Sequence, residues 1–564
     1  MLDEAYYLLS YKMAAEGFFN HFTNAPFLTA YFFQSFNPSI IEYRLIHLTA
    51  YIASTLSFVY TVIRFVNANG YSLSKADCVL LNLFALMGSL FCYSISIPTL
   101  SYNHLNQIFI LLSLSFLLLA LANKKNKKHL FYFFLAGAFL LVDFYIKPPT
   151  FIAILLLEIF VVYFSITTLK KRLEYISAYL IGGFLSFILI TISFYPLSQW
   201  SEYFDLISQQ KSHAPLKVMY SFIISGLEML KTSSGFILSS IPIIIIFSKL
   251  NFLKKHLLCQ IVLPLIVALN CYFAYILFFP STIWASFNLH YWYWSIYSST
   301  ILVAIIAVCF IFGVGIVLRR KNPLQNPLFL LFIILALTPT ALSVGTLNGF
   351  GQVQINLIPW LILCGLTLIF SLHLQSKFIS IYLSVLIIAL CITESLYFYR
   401  LDFIGINNPY NQKYQLSEIP LLKNLLVDKP TYDLLMNTKK ILDQYPNLPT
   451  IVFFDMPGLQ YAFGRRSLVS DPWLSNLEYP LTKDNVYNCS VITKSARASD
   501  KSIFIVARES GIDPQLRDCL KKSGYPNFMS LIGSVSSSVA GLNEPIRIYF
   551  NQKNSPKTSF PKRD

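Results

Sequence analysis

Six side chains in the first 150 residues could do acid–base or anion-binding work. Asp3 and Glu4 form an acidic pair, followed at once by Ala5, Tyr6 and Tyr7. Arg44 follows Glu42 and Tyr43, Tyr102 and His104 flank Asn103, and Lys147 precedes Pro148 and Pro149, four residues after Asp143. A carboxylate can take a proton from an attacking hydroxyl, and partial removal from water moves its pKa toward a useful range. Guanidinium, ammonium and imidazole groups can hold the negative charge of a departing anion such as a phosphate. Each type also has an ordinary explanation: Asp and Glu are mostly solvated, Arg at a helix end snorkels, and a buried His is commonly a hydrogen-bonding group. Lys147 resists this explanation most. It sits between two apolar runs, and a Lys at the hydrocarbon centre costs about 2.5–3.5 kcal/mol, so a partner or an anionic ligand is expected.

The elements that must hold these groups are membrane helices. Hydrophobic residues make up 55% of the 564 and charged residues 12%, with a mean hydropathy of +0.58, which excludes a soluble globule of ordinary composition. A span needs roughly 20 apolar residues. Such stretches lie near 41–65, 78–97, 105–122, 129–146, 149–169, 175–196, 232–248, 257–279, 291–318, 327–344, 353–372 and 378–398. From 400 onward the apolar runs shorten to strand length at Ile451–Asp455, Ser502–Arg508 and Ile546–Phe550, with helical stretches at Tyr432–Tyr445 and Pro514–Ser523. The expected fold is an all-α polytopic membrane domain of about twelve helices over 41–398, joined to a small extracytoplasmic α/β domain over 400–551. Residues 552–564, rich in Lys, Pro and Ser, read as a disordered tail.

Charge sets the expected orientation. The clusters Lys124–Lys128, Lys170–Arg172, Lys249–Lys255 and Arg319–Lys321 fall on alternate breaks between spans, which the positive-inside rule assigns to the cytoplasm. Residues 1–40, read as a first extracytoplasmic loop, and the α/β domain then lie outside a plasma or inner membrane. A net charge of +16 spread over these breaks and the tail is no nucleic-acid footprint. No span or signal peptide is visible to carry residues 1–40 across, so a start upstream of Met1 is expected. Nine Cys show no metal spacing, and Cys489 and Cys519 could pair if their region is exported.

The order of the polar groups resembles the first extracytoplasmic loop of the family 39 glycosyltransferases of the GT-C superfamily. That superfamily includes the bacterial lipid A aminoarabinose transferase and the protein O-mannosyltransferases. The likeness rests on Asp3-Glu4-Ala5-Tyr6-Tyr7, then Asn24-Ala25-Pro26-Phe27, then Glu42-Tyr43-Arg44-Leu45, and on a segment ending Asp143-Phe144-Tyr145-Ile146-Lys147-Pro148-Pro149-Thr150, similar to the family's helix-breaking lysine segment. It implies sugar transfer from a polyprenyl-phosphate donor to a lipid, glycan or protein acceptor, with Asp3 as the catalytic carboxylate and Glu4 beside it. It also implies one further helix before the acidic pair. The turn at Asn24–Phe27 has no cation where the family often has Lys, and Tyr102-Asn103-His104 stands where many relatives keep an acidic residue. A divalent metal is left open.

Arg44, Tyr102, His104 and Lys147 make up the expected substrate-binding set. Aromatic residues at 284–294 suit either an interfacial belt or a sugar-stacking surface. The competing reading is a transporter or flippase of lipid-linked glycans, for which Glu158, Glu228 and Glu394 within or near spans are the candidate ionisable groups.

Overall fold

The computed structural model describes residues 2–15, 25–95, 99–123, 128–195, 200, 215–248, 257–278, 291–318, 326–345, 349–373, 377–400, 412–453, 457–465, 501–506, 530–536 and 545–552. The possible Cys489–Cys519 pair, the helix expected at 514–523, the tail beyond 552 and most of the aromatic stretch at 284–294 lie outside them.

Two short helices open the chain, α1 (Leu2–Ala15) and α2 (Ala25–Ser35). The segment read as a loop is therefore helical over 2–15 and 25–35, and only the turn at 36–39 is non-helical among its described residues. At 14 and 11 residues the two helices are too short for a span-length window to detect. Glu4, Leu8 and Tyr11, at helical spacing, are all buried and make the inner face of α1.

Helices α3 (Ile40–Ala68), α4 (Lys75–Ile95), α5 (Tyr102–Ala122), α6 (Lys128–Ile146), α7 (Pro148–Ser165) and α8 (Leu169–Ser193) follow. Each contains a stretch long and apolar enough to cross a membrane. Small polar residues start them. Ser39 and Glu42 cap each other's backbone at α3, Ser74 and Asp77 do the same at α4, and Ser101 and His104 at α5. Helix α7 starts with Pro148 directly after Lys147, so the break from α6 is a single residue.

Helices α9 (Pro215–Ser248), α10 (Leu257–Phe278), α11 (Tyr291–Leu318), α12 (Pro327–Ser343), α13 (Ile358–His373) and α14 (Lys377–Arg400) overlap the remaining apolar stretches, although α9 begins well before the stretch expected at 232–248 and the one expected at 353–372 is divided between a 3₁₀ turn and α13. Among the described residues, six helices satisfy both length and hydropathy, a seventh span arises if the 3₁₀ turn Gly349–Asn356 and α13 count as one bent unit, and four apolar helices are shorter. The protein is thus a helical multi-pass membrane domain with a small α/β part.

Packing of the first half centres on α5, the most buried of the six spans at 72%, while α8 is the least at 17% and faces outward. Helices α6 and α8 touch backbone to backbone: a Cβ on Gly137 would collide with the Tyr179 carbonyl, and one on Gly182 with the Phe134 carbonyl. Small residues at such crossings let membrane helices gain dispersion contact that lipid cannot offer.

The α/β part holds a two-stranded ladder of β1 (Tyr414–Gln415) and β2 (Leu426–Val427), helix α15 (Lys429–Leu442), β3 (Thr450–Phe453), helix α16 (Pro457–Ala462), β4 (Lys501–Val506), β5 (Ser530–Val535) and β6 (Ile546–Gln552). Its main sheet runs β3-β4-β6-β5, with β3 parallel to β4 and the other pairs antiparallel. Strand β5, Ser-Leu-Ile-Gly-Ser-Val, lacks an alternating pattern and was not foreseen; Gly533 within it makes room for Ile441 of α15. Helix α16 lies on α1, Gly458 facing Ala5, and Lys12 Nζ donates to the Gly464 carbonyl at 3.3 Å. The α/β part is therefore docked on the acidic helix.

Candidate functional site

At the start of α3 the cap made by Ser39 and Glu42 uses the Glu42 carboxylate, whose Oε2 accepts the Ser39 N–H at 2.7 Å. Arg44, two residues on, is free to turn toward α1. Its Nε donates to Glu4 Oε1 at 2.7 Å and its Nη2 to Oε2 at 2.6 Å, a bidentate pair in which Glu4 is 4% exposed and Arg44 27%. The pair fastens the acidic end of α1 to the head of a span. Both Glu4 oxygens are thereby committed, and the Arg44 fork is occupied. Asp3 precedes Glu4 in the first turn of α1; its side chain lies outside the described set.

Aromatic stacking holds the rest of α1. Tyr11 stacks on Tyr43 with centroids 6.2 Å apart, Tyr43 on Phe33 at 5.1 Å, and the Tyr11 hydroxyl donates to the Leu100 carbonyl. Tyr461 of α16 is buried nearby, and its phenol is pushed up by burial and by the Glu4 and Glu42 carboxylates. The Tyr43 and Tyr461 hydroxyls are buried with no hydrogen-bond partner among the described residues.

A second face of α1 carries Tyr7, one turn beyond position 3. Its ring lies 6.1 Å from that of Tyr102 at the start of α5, and Lys147 Nζ lies 6.0 Å from the Tyr102 centroid. That last distance is the outer limit of a cation–π contact. Tyr102 thus joins the acidic helix to the lysine break.

Lys147, expected in a short break close to the hydrocarbon, is buried. Its backbone N–H donates to the Asp143 carbonyl at 2.7 Å and its Nζ to the Leu342 carbonyl at 2.6 Å. The chain after Leu342 turns at Gly345, with φ of +86° and no Cβ to strike Pro149, whose Cγ would be 2.8 Å away. Asn106 faces Asp143: with its amide nitrogen toward the carboxylate, Nδ2 donates to Oδ1 at 2.6 Å and Oδ2 at 3.1 Å. Burial pushes the Lys147 ammonium down to about 7, an effect that the nearby Asp143 carboxylate opposes.

His104 has another task. Its Nδ1 lies 2.9 Å from Ser101 Oγ and accepts the Ser101 N–H at 3.4 Å, so the ring closes the cap of α5 and, when neutral, carries its proton on Nε2. It packs on His47 of α3, centroids 4.2 Å apart.

Of the six expected residues, the structure joins Glu4 with Arg44 and Tyr102 with Lys147, and gives His104 to a helix cap. Sequence reasoning missed Tyr7, Asn106 and His47 as parts of this cluster. Asn106 carried a signal, being an amide within an apolar span; Tyr7 carried its helical offset from Asp3.

Among the described residues, no three His, Cys, Asp or Glu side chains gather to hold a metal ion. Comparison of the chain with protein-family profiles, curated proteins and solved structures returns no match.

Proposed function

We propose that the chain is a GT-C-type membrane glycosyltransferase that moves a sugar from a polyprenyl-phosphate donor to a lipid, glycan or protein acceptor on the extracytoplasmic side of the plasma or inner membrane. The observation that carries this reading is the run from α1 through Tyr7 and Tyr102 to Lys147, which links the helix bearing Asp3 to a buried cation between two spans. In support stands the Glu4–Arg44 clamp, which fixes that helix at the membrane end of α3.

In this reading Asp3 is the base. The acceptor hydroxyl attacks the anomeric carbon, its proton passes to the Asp3 carboxylate, and the bond from that carbon to the phosphate oxygen breaks. The electron pair leaves on the lipid phosphate, whose charge Lys147 offsets. Attack opposite the phosphate inverts the anomeric centre. Glu4 and Arg44 position α1 and do not themselves touch the reacting atoms. Tyr102 offers a ring beside the cation, and His104 acts only through the start of α5.

The test is extraction of lipid-linked sugars from cells with and without the protein. One polyprenyl-phosphate sugar should accumulate when the protein is absent and be consumed by purified protein in vesicles. An unchanged lipid-linked pool, together with sugar appearing across the bilayer only when the protein is present, would favour the flippase.

A further inference from the structure

Glu158 lies on α7, eleventh of its 18 residues, so it sits about 15 Å along the helix from Pro148, near the middle of a span. It is 1% exposed. Two hydroxyls from two other helices reach it: Tyr179 of α8 donates to Oε2 at 2.5 Å, and Ser113 Oγ of α5 lies 2.8 Å from Oε1. The same Ser113 Oγ lies 2.9 Å from the Ala136 carbonyl of α6. Among the described residues no Lys, Arg or His pairs with Glu158.

The protons can be counted. A serine hydroxyl has one hydrogen, and a backbone carbonyl can only accept. If Glu158 were ionised, Ser113 would face two acceptors with one proton, leaving two oxygens in contact without a hydrogen between them. A carboxylate would also stand in hydrocarbon with no cation, which the membrane strongly disfavours. A proton on Oε1 removes both conflicts. Oε1 then donates to Ser113, Ser113 to the Ala136 carbonyl, and Tyr179 to Oε2.

We infer that Glu158 is held as an uncharged carboxylic acid, a mid-membrane hydrogen-bond clamp that joins α5, α6, α7 and α8. The clamp closes where α6 and α8 already meet, since Tyr179, which supplies the hydroxyl, also presents its carbonyl to Gly137. Glutamine should replace this group: its amide can donate to Ser113 and its carbonyl can accept from Tyr179, with no charge to place. A residue that carried protons or bound a coupling ion would not tolerate that exchange. The inference does not depend on glycosyl transfer.

The experiment uses the full chain, purified and reconstituted in lipid. The infrared difference spectrum between wild type and Glu158→Gln at neutral pH should contain the carbonyl band of a protonated carboxyl group. Thermal midpoints should be nearly equal for these two proteins and clearly lower for Glu158→Ala and Ser113→Ala. A carboxylate band in that difference, or Glu158→Gln as unstable as Glu158→Ala, would overturn the inference. If Glu158→Ala does not reach the membrane, the Gln variant and its spectrum still decide.

Discussion

Lys147 shows how one side chain can link stability and binding with opposite signs. In the unfolded chain its ammonium loses its proton near pH 10.4, whereas burial brings the folded value down to about 7. Between those values the unfolded state holds a proton that the folded state lacks, so stability should rise with pH across that window and then level off. Below about pH 7 the charge is buried in full and its cost is greatest. An anion needs that same proton, so affinity for a polyprenyl phosphate should fall as pH rises through the window. Lys147→Met should flatten the stability profile and weaken donor use at low pH, while Lys147→Arg keeps the charge at every pH. Denaturation midpoints and apparent KM for the lipid sugar, measured across the window, check both; a Met variant with the wild-type pH profile would make the buried ammonium irrelevant. Two positions along α1 should separate in the same assay. Asp3→Asn should lower transfer by about 100-fold or more while membrane levels stay constant. Glu4→Gln should instead lower the thermal midpoint, because the Arg44 guanidinium loses its countercharge and one of its two acceptor oxygens, a change worth about 3 kcal/mol. If Asp3→Asn transfers sugar normally, the base lies elsewhere, and Asp143 is the next to replace.

Between helices the decisive contacts are made by backbone. Gly137 and Gly182 allow α6 and α8 to meet with carbonyls pressed where side chains would stand, whereas a Cβ on Gly183 would meet the Gly137 carbonyl oxygen at an ordinary 3.5 Å. Gly137→Ala and Gly182→Ala should each destabilise the protein by about 2 kcal/mol or more, the scale of overpacking a close contact. Gly183→Ala should be nearly neutral. Midpoints of the three purified variants test this, and equal gains at all three sites would mean that helix propensity, which favours Ala over Gly, rather than contact governs them. The start of α8 makes a related point. Lys170, Lys171 and Arg172 occupy its first turn, where the helix dipole disfavours cations. Arg172 recovers part of that small cost by stacking on Tyr163, 4.1 Å from the ring centroid, and donating to the Ile166 carbonyl at 2.6 Å.

For the whole molecule, α1, the head of α3 and the α/β part form one assembly at one end of the bundle, through the Glu4–Arg44 pair and the contacts of α16. In the proposed topology, which follows the charge pattern, that end lies outside the cytoplasm. A reporter active only after export should therefore work when fused after residue 420, and activity of a cytoplasm-only reporter at that junction would reverse the assignment. Removal of the α/β part should uncover Ala5 and break the Lys12 contact, so sugar transfer should fall even though the spans remain. A truncated protein as active as the full chain would make the docked domain dispensable.

The six long apolar helices from α3 to α8 could be read from composition and length alone, because a bilayer demands about 20 residues without charge and leaves no other way to satisfy the backbone. The caps Ser39 with Glu42 and Ser74 with Asp77 are also short-range patterns, although they were recognised only in the structure. The sequence set Lys147 in a short break between two apolar runs, while its full burial and the one-residue length of that break came from the tertiary structure. What the sequence could not decide was pairing. That Arg44 clamps Glu4 across 40 positions, that Tyr102 stands between Tyr7 and Lys147, and that Ser113 and Tyr179 converge on Glu158 all depend on which helix faces meet. The helices α1 and α2 and the strand β5 belong to the same class. Their length or pattern is weak by itself, and they gain stability by packing on elements far away in the chain, which only the tertiary structure supplies.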